Sequence, residues 1–121
     1  MSGWRCLDDV QHRAQLQALA IPDSFDAREA FPHCIGAIRN QGHCGSCWAF
    51  STVAAVEGIN KIKTGKLVKL SEQQLVECDT TDNGCAGGWP YQAYRYVMSH
   101  GLTTESNYPY TGEGGKCNQS E

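Results

Sequence analysis

The sequence predicts a mainly α-helical domain held together by disulfides. Three observations carry this: a long apolar stretch with helical signals over residues 46–63, two shorter helical segments with recognisable ends, and seven cysteines set among turns. A chain of 121 residues with 40% hydrophobic content is long enough for one domain with a modest core. A net charge of −3 gives no electrostatic reason to expect nucleic acid or an anionic membrane as partner. No apolar run approaches the roughly 18 residues that span a bilayer. The opening MSGWRCLDDVQHRAQ lacks the apolar core of a signal peptide. Cysteine density this high points to an oxidising compartment, and an odd count leaves at least one thiol free or paired outside the chain. The competing reading, a reduced cytosolic protein with buried thiols, fits less well because the cysteines lie in Gly-rich turns that need staples.

Taken in order, residues 8–19 read as a short amphipathic helix, with Val10, Leu16 and Leu19 on one face and Asp8 and Asp9 at its N-terminus. Ile21-Pro22 breaks that pattern, and Pro22, Pro32, Gly36, Gly42 and Gly45 punctuate a stretch of loop or extended chain up to residue 46. The longest helix follows. Ser46 is its N-cap candidate, and Phe50, Val53, Ala54, Val56, Ile59 and Ile62 make it apolar nearly all round, which predicts burial. Thr64-Gly65 ends it. Ser71 with Gln74 three positions on is a capping box for a helix over 71–77. After the turn-rich CDTTDNGCAGG, Pro90 suits the first turn of a helix over 91–100 that Gly101 closes. From Leu102 onward the chain reads as loop or short strand. Repeats and low-complexity segments are absent from the sequence.

The chemistry concentrates in Gln41-Gly42-His43-Cys44-Gly45-Ser46-Cys47-Trp48-Ala49-Phe50-Ser51. Cys47 falls in the first turn of a helix, where unpaired backbone N–H groups and the helix dipole favour a thiolate, the nucleophilic form. Gly45 lets the backbone turn tightly so that the sulfur faces a cleft, while Trp48 and Phe50 anchor the helix behind it. The Gln41 side-chain amide, six residues upstream, can donate to an oxyanion. Two other readings exist. Cys44-x-x-Cys47 is also the spacing of a redox dithiol, but no strand precedes it as in thioredoxin-like sites. Cys44, Cys47, Cys78 and Cys85 could form a zinc site, but a second C-x-x-C is absent. No cofactor or metal is expected.

The segment resembles the active-site signature of the papain and cathepsin family of cysteine peptidases, C-G-[SA]-C-[WY], and departs from the family's longer pattern only at His43. The resemblance runs over residues 21–121, through IPDSFDARE, LSEQQLVEC, NGCAGGWP and NYPY in family order. It implies the helical left lobe of a two-lobe α+β enzyme, with Cys47 as nucleophile and Gln41 as oxyanion donor. It further implies the disulfides Cys44–Cys85 and Cys78–Cys117, substrate binding by the backbone of Gly87 and Gly88, and Trp89 and Pro90 as one wall of the pocket for the second residue before the scissile bond. Glu57, on a buried helix, reads as structural and in need of a partner. The implied activity is that of an endopeptidase, with peptide or protein substrates and cystatin-like inhibitors as partners and a lysosomal, vacuolar or secreted location. The rival class is a non-catalytic pseudo-enzyme, or an inhibitor-binding decoy, on the same lobe.

The chain also departs from the family. Relatives place a His and an Asn about 130–150 residues after the nucleophile, and only 74 residues follow Cys47. His12, His33, His43 and His100 do not lie in the family's histidine context. A C-terminal lobe carrying His and Asn is therefore an expected partner, whether it is a continuation of this chain, a clipped piece of it or a separate chain. Residues 1–20 resemble a very short propeptide. Cys34 sits where cathepsin B-like enzymes carry an extra disulfide cysteine, and Cys6 could bridge it, cap Cys47 or stay free. Tyr110 runs directly into TGEGGK, too short and too flexible for the occluding loop that makes cathepsin B a peptidyl dipeptidase, so the chain resembles a mosaic of cathepsin B-like and cathepsin L-like features, as in cathepsin B-like enzymes of protists. Asn118-Gln119-Ser120 is a glycosylation acceptor pattern.

Overall fold

The computed structural model describes residues 20–118. The segment 8–19, Cys6 and His12 lie outside them, as do Gln119 and Ser120 of the glycosylation pattern. The described residues form α1 (Ala27–Ala30), α2 (Cys47–Thr64), α3 (Glu72–Cys78) and α4 (Pro90–His100), with a single 3₁₀ turn over Gly84–Ala86. Among them there is no strand, and one isolated antiparallel bridge joins Leu70 to Thr104. The fold is thus mainly α and disulfide-stapled, as the sequence predicts.

The helix α1 lies in a stretch read as loop. Asp26 starts it by accepting the Arg28 N–H at 2.9 Å, and the same carboxylate pairs with the Arg28 guanidinium at 2.6 Å. That hydrogen-bonded pairing holds the Asp26 carboxyl below its ordinary range. The 18-residue α2 packs against α3 and α4, and Trp48, Ala49, Val53, Leu70, Leu75, Val76, Ala93 and Tyr96 form the core. Its expected burial on every side is not observed. Ser51, Ala54, Ala55 and Ile59 are exposed, Ile59 by 50%. Of these, Ser51 and Ala54 border a hollow of about 430 Å³ that Ile35, Ala37, Phe50 and Leu67 also line. The hydropathy of a helix reports how much apolar surface it has, not which elements are present to cover it. Gly65 ends α2 in the left-handed region, at φ 77°.

Only half of the predicted capping box forms. Ser71 Oγ accepts the Gln74 N–H at 3.0 Å, but the Gln74 side chain does not reach back. Its Oε1 accepts the Thr103 N–H at 2.7 Å instead, which ties α3 to the chain after α4. Behind α3, Arg39 is the counter-charge for two buried carboxylates. It pairs with Glu57 at 2.9 Å and with Glu72, and Glu57 also accepts the Leu70 N–H at 2.8 Å. Burial still holds the Glu72 carboxyl above the usual range.

Disulfides join Cys44 to Cys85 and Cys78 to Cys117. Cys34 is also disulfide-bonded, and the pairing alternatives for Cys6 lie outside the described residues. Cys47 is a free, exposed thiol.

Candidate active site

Cys47 is the first residue of α2, so its backbone lies in the turn whose N–H groups lack intrahelical acceptors. Ser46 occupies the N-cap position but does not cap. Its Oγ is 2.7 Å from the Tyr110 hydroxyl and 3.5 Å from the Cys44 carbonyl. The side chain that usually occupies the first-turn donors is therefore turned away from them.

The loop before Cys47 is fixed from beneath. Gly45 donates its N–H to the Cys85 carbonyl at 2.9 Å, and a Cβ on Gly45 would lie 2.6 Å from that oxygen. The expected role of Gly45 as a tight turn is corrected accordingly, because the glycine with a left-handed backbone in this loop is Gly42, at φ 66°. Gly45 is needed for close approach. The Cys44–Cys85 disulfide and the Trp48 indole N–H, donating to the Gly84 carbonyl at 3.0 Å, join the same two segments. Loop and 3₁₀ turn are clamped by one covalent bond and two hydrogen bonds.

Gln41 Nε2 donates to the Cys44 carbonyl at 2.9 Å, which fixes the amide and leaves its second N–H uncommitted among the described residues. Its backbone carbonyl accepts the Tyr110 O–H at 2.7 Å. Tyr110 thus holds Gln41 and Ser46 together while its ring meets Phe50 edge-on, centroids 4.9 Å apart. This residue was missed as a contributor to the site. The signal was present in Tyr108-Pro109-Tyr110, but sequence separation hid what the second tyrosine touches.

Gly87 and Gly88 need their glycines for different reasons. Gly87 has φ 119°, a conformation nearly closed to other residues, and open space where a Cβ would point. Gly88 has an ordinary φ, but a Cβ there would lie 2.7 Å from both Trp48 Cδ2 and Asp82 Oδ1. Trp89 is 65% exposed, donates its N–H to Asp82 Oδ1 at 2.7 Å, and precedes Pro90 at the start of α4. The buried Asp82 is the second residue that sequence reasoning missed. Burial, chiefly, pushes its carboxyl up to about 6, with the neighbouring Asp79 adding to the shift.

The histidines stand apart from the thiol. None hydrogen-bonds Cys47 among the described residues: His43 is exposed, His33 sits in a loop at φ 68°, and His100 stacks on Tyr96 with centroids 4.4 Å apart. Asn118 is exposed, and its N–H donates to the Tyr108 hydroxyl at 3.0 Å. A Cys44–Cys47 redox bridge is not formed, and three of the four cysteines of the zinc alternative are in disulfides. Among the described residues no other cluster could hold a metal ion. The segment 111–116, expected to be flexible, is pinned to α3, with the Thr111 N–H on Gln73 Oε1 at 2.9 Å and Gln73 Nε2 on the Glu113 carbonyl at 2.7 Å.

This arrangement presents a free thiol at a helix start, an amide donor held beside the same loop, and a glycine-lined ledge covalently joined to it. The family model "Papain family cysteine protease" matches residues 21–121. Zingipain-1 of Zingiber officinale is 54% identical over 102 residues, 84% of this chain and 45% of that protein. The cysteine endopeptidase RepA of Oryza sativa subsp. japonica is 57% identical over 103 residues, 84% of this chain and 27% of that protein. Among solved structures, the Carica candamarcensis cysteine protease CMS1MS2, in complex with E-64, superposes with a TM-score of 0.74 at 50% identity, covering 83% of this chain and 46% of that one. The chain spans less than half the length of these relatives. Signature, fold and relatives together establish that the chain belongs to the papain family of cysteine proteases.

Proposed function

We propose that the full-length protein is a cysteine endopeptidase and that this chain is its nucleophile-bearing lobe. The observation that carries the reading is the free, exposed Cys47 thiol at the start of α2, beside a Gln41 amide held by the Cys44 carbonyl. The Cys47 sulfur attacks the peptide carbonyl carbon, and the carbonyl electron pair moves to oxygen, where the Gln41 side chain and the Cys47 N–H stabilise it. The carbon–nitrogen bond then breaks, the amine leaves with a proton, and water releases the acyl group from sulfur. The proton carrier is a histidine oriented by an asparagine, both supplied from outside this chain, so the chain alone is inactive. Gly87 and Gly88 pair with the substrate backbone, and Trp89 and Pro90 form an apolar pocket wall.

Several coarser expectations belong to the same proposal. Residues 1–20 are a pro-segment, supported by the family match beginning at residue 21. The partners are peptides and cystatin-like inhibitors, and the location is a lysosomal, vacuolar or secreted compartment, supported by the disulfides. Asn118 is glycosylated on that route.

The test is cleavage of an internally quenched peptide by the full-length protein. Turnover should vanish in Cys47→Ala, and substrates with free and amidated C-termini should be cut at similar rates. Turnover that persists in Cys47→Ala would refute the mechanism, and strict release of C-terminal dipeptides would refute the endopeptidase assignment.

A further inference from the structure

The turn from α3 to α4 buries two carboxyl groups three residues apart, Asp79 and Asp82, 3% and 7% exposed. Each has one oxygen engaged. Asp79 Oδ1 accepts the Thr81 N–H at 3.0 Å and the Thr81 hydroxyl at 2.6 Å, and Asp82 Oδ1 accepts the Trp89 N–H. The other oxygen of each, Asp79 Oδ2 and Asp82 Oδ2, is buried without a donor. Two carboxylates cannot hydrogen-bond one another, and Asp79 is near enough to Asp82 to help raise its carboxyl. One proton held between the two carboxyl groups would remove the repulsion and supply a donor where none is present.

We propose that Asp79 and Asp82 share a single proton, and that this carboxyl–carboxylate bond is the device that positions Gly88 and Trp89 on the substrate-facing ledge. The ledge is within reach of the pair on two counts. The Trp89 N–H is bonded to Asp82 Oδ1, and the same oxygen fills the space where Gly88 would carry a Cβ. The loop is closed around them by Asn83 N–H to the Gly87 carbonyl at 2.9 Å. Loss of the proton leaves two negative charges in one buried turn, which drives the carboxylates apart and draws the ledge with Asp82.

Tyr91, Arg95, Tyr96 and His100 of α4 line the hollow beside Asp79, and none forms an ion pair with either carboxylate among the described residues. Trp48 approaches from α2 and carries no charge, and the Gly84–Ala86 turn has no ionisable side chain.

The experiment follows the carboxyl carbons of aspartate-labelled full-length protein by NMR from pH 4 to 8, together with the Trp89 amide. One aspartate resonance and the Trp89 amide should move together with a midpoint near the value of about 6 that burial imposes. In Asp79→Asn the midpoint should fall and the Trp89 amide should become insensitive over pH 5–7. Aspartates that all titrate below about pH 5 in the parent protein, in the ordinary carboxylate range, would overturn the shared proton whether or not the variant folds. The consequence for substrate rests on the peptidase reading. In the full-length enzyme, KM for a peptide should rise several-fold through the same midpoint, and this rise should be absent in Asp79→Asn, with kcat little affected. A flat KM above a confirmed titration would overturn the positioning role, whereas absence of any Cys47-dependent turnover would sink the peptidase reading and leave the NMR result standing.

Discussion

Replacing Arg39 by methionine should destabilise this lobe by an amount that depends on pH. The guanidinium bonds to the Leu70 carbonyl at 3.3 Å, to Glu57 at 2.9 Å and to Glu72. Methionine approximates the aliphatic stem but returns none of these bonds. Two carboxylates, 7% and 2% exposed, then lie near one another with no cation, and Glu72 Oε2 already lacks a hydrogen-bond partner. Stranding buried charge in this way costs about 3–5 kcal/mol, a large fraction of the roughly 5–15 kcal/mol that holds a typical domain. The sign of the pH dependence follows from Glu72, whose carboxyl burial raises above its unfolded value even with Arg39 present. A raised carboxyl favours the folded state most when it is protonated, so stability is retained at low pH and lost as pH climbs through the folded value. Without Arg39 the Glu72 carboxyl rises further, and the deficit of the variant should therefore be small near pH 4 and full near pH 7. Urea unfolding of the full-length protein at the two pH values measures this, with a midpoint shift on the order of 2 M expected at pH 7 for slopes of ~1–3 kcal/mol/M. A loss under about 1 kcal/mol at pH 7, or a loss equal at both pH values, would refute the reasoning.

Three further outcomes follow from the site. Gly45→Ala places a Cβ 2.6 Å from the Cys85 carbonyl, so the clamp must open, with a cost of about 1–3 kcal/mol in thermal unfolding and weaker turnover. Tyr110→Phe keeps the ring against Phe50 but deprives the Gln41 carbonyl and Ser46 Oγ of their shared partner, so kcat should fall more than KM rises. Removing the Cys44–Cys85 bridge by a double alanine substitution releases a loop with a sequence separation of 41. The loss expected from chain entropy is about 4 kcal/mol, read as a lowered Tm that the parent protein reproduces only under reduction.

The helices α2, α3 and α4 were legible because their ends are written locally. Gly65 in the left-handed region, Pro90 at a helix start and Ser71 as an N-cap are decisions made within a few residues. The nucleophile was legible for the same reason, since the first turn of α2 and its flanking residues lie within one short segment. What escaped reading depends on long-range partners. Ser46 was expected to cap α2, and Gln74 to close a capping box, until Tyr110 and Thr103 provided competing bonds. Gly45 and Gly88 could be read as glycines with a purpose, but the purpose lies in Cys85, Trp48 and Asp82, which approach from elsewhere in the chain. The exposed face of α2 was misread because hydropathy has no knowledge of neighbours.

The clamp between the Cys47 loop and the 84–88 segment also sets the latitude for change in this lineage. Its two hydrogen bonds end on the backbone carbonyls of Gly84 and Cys85, and its spaces are filled by backbone or by Trp48 and Asp82. A side chain added at Gly45 or Gly88 meets these groups and forces the floor to shift. The rim is under no such restriction: Trp89 and Tyr91 are 65% and 60% exposed and hold their places through main chain, not side chain. Variants selected for a new preference should therefore accumulate at the rim, while the floor changes only in coordinated pairs.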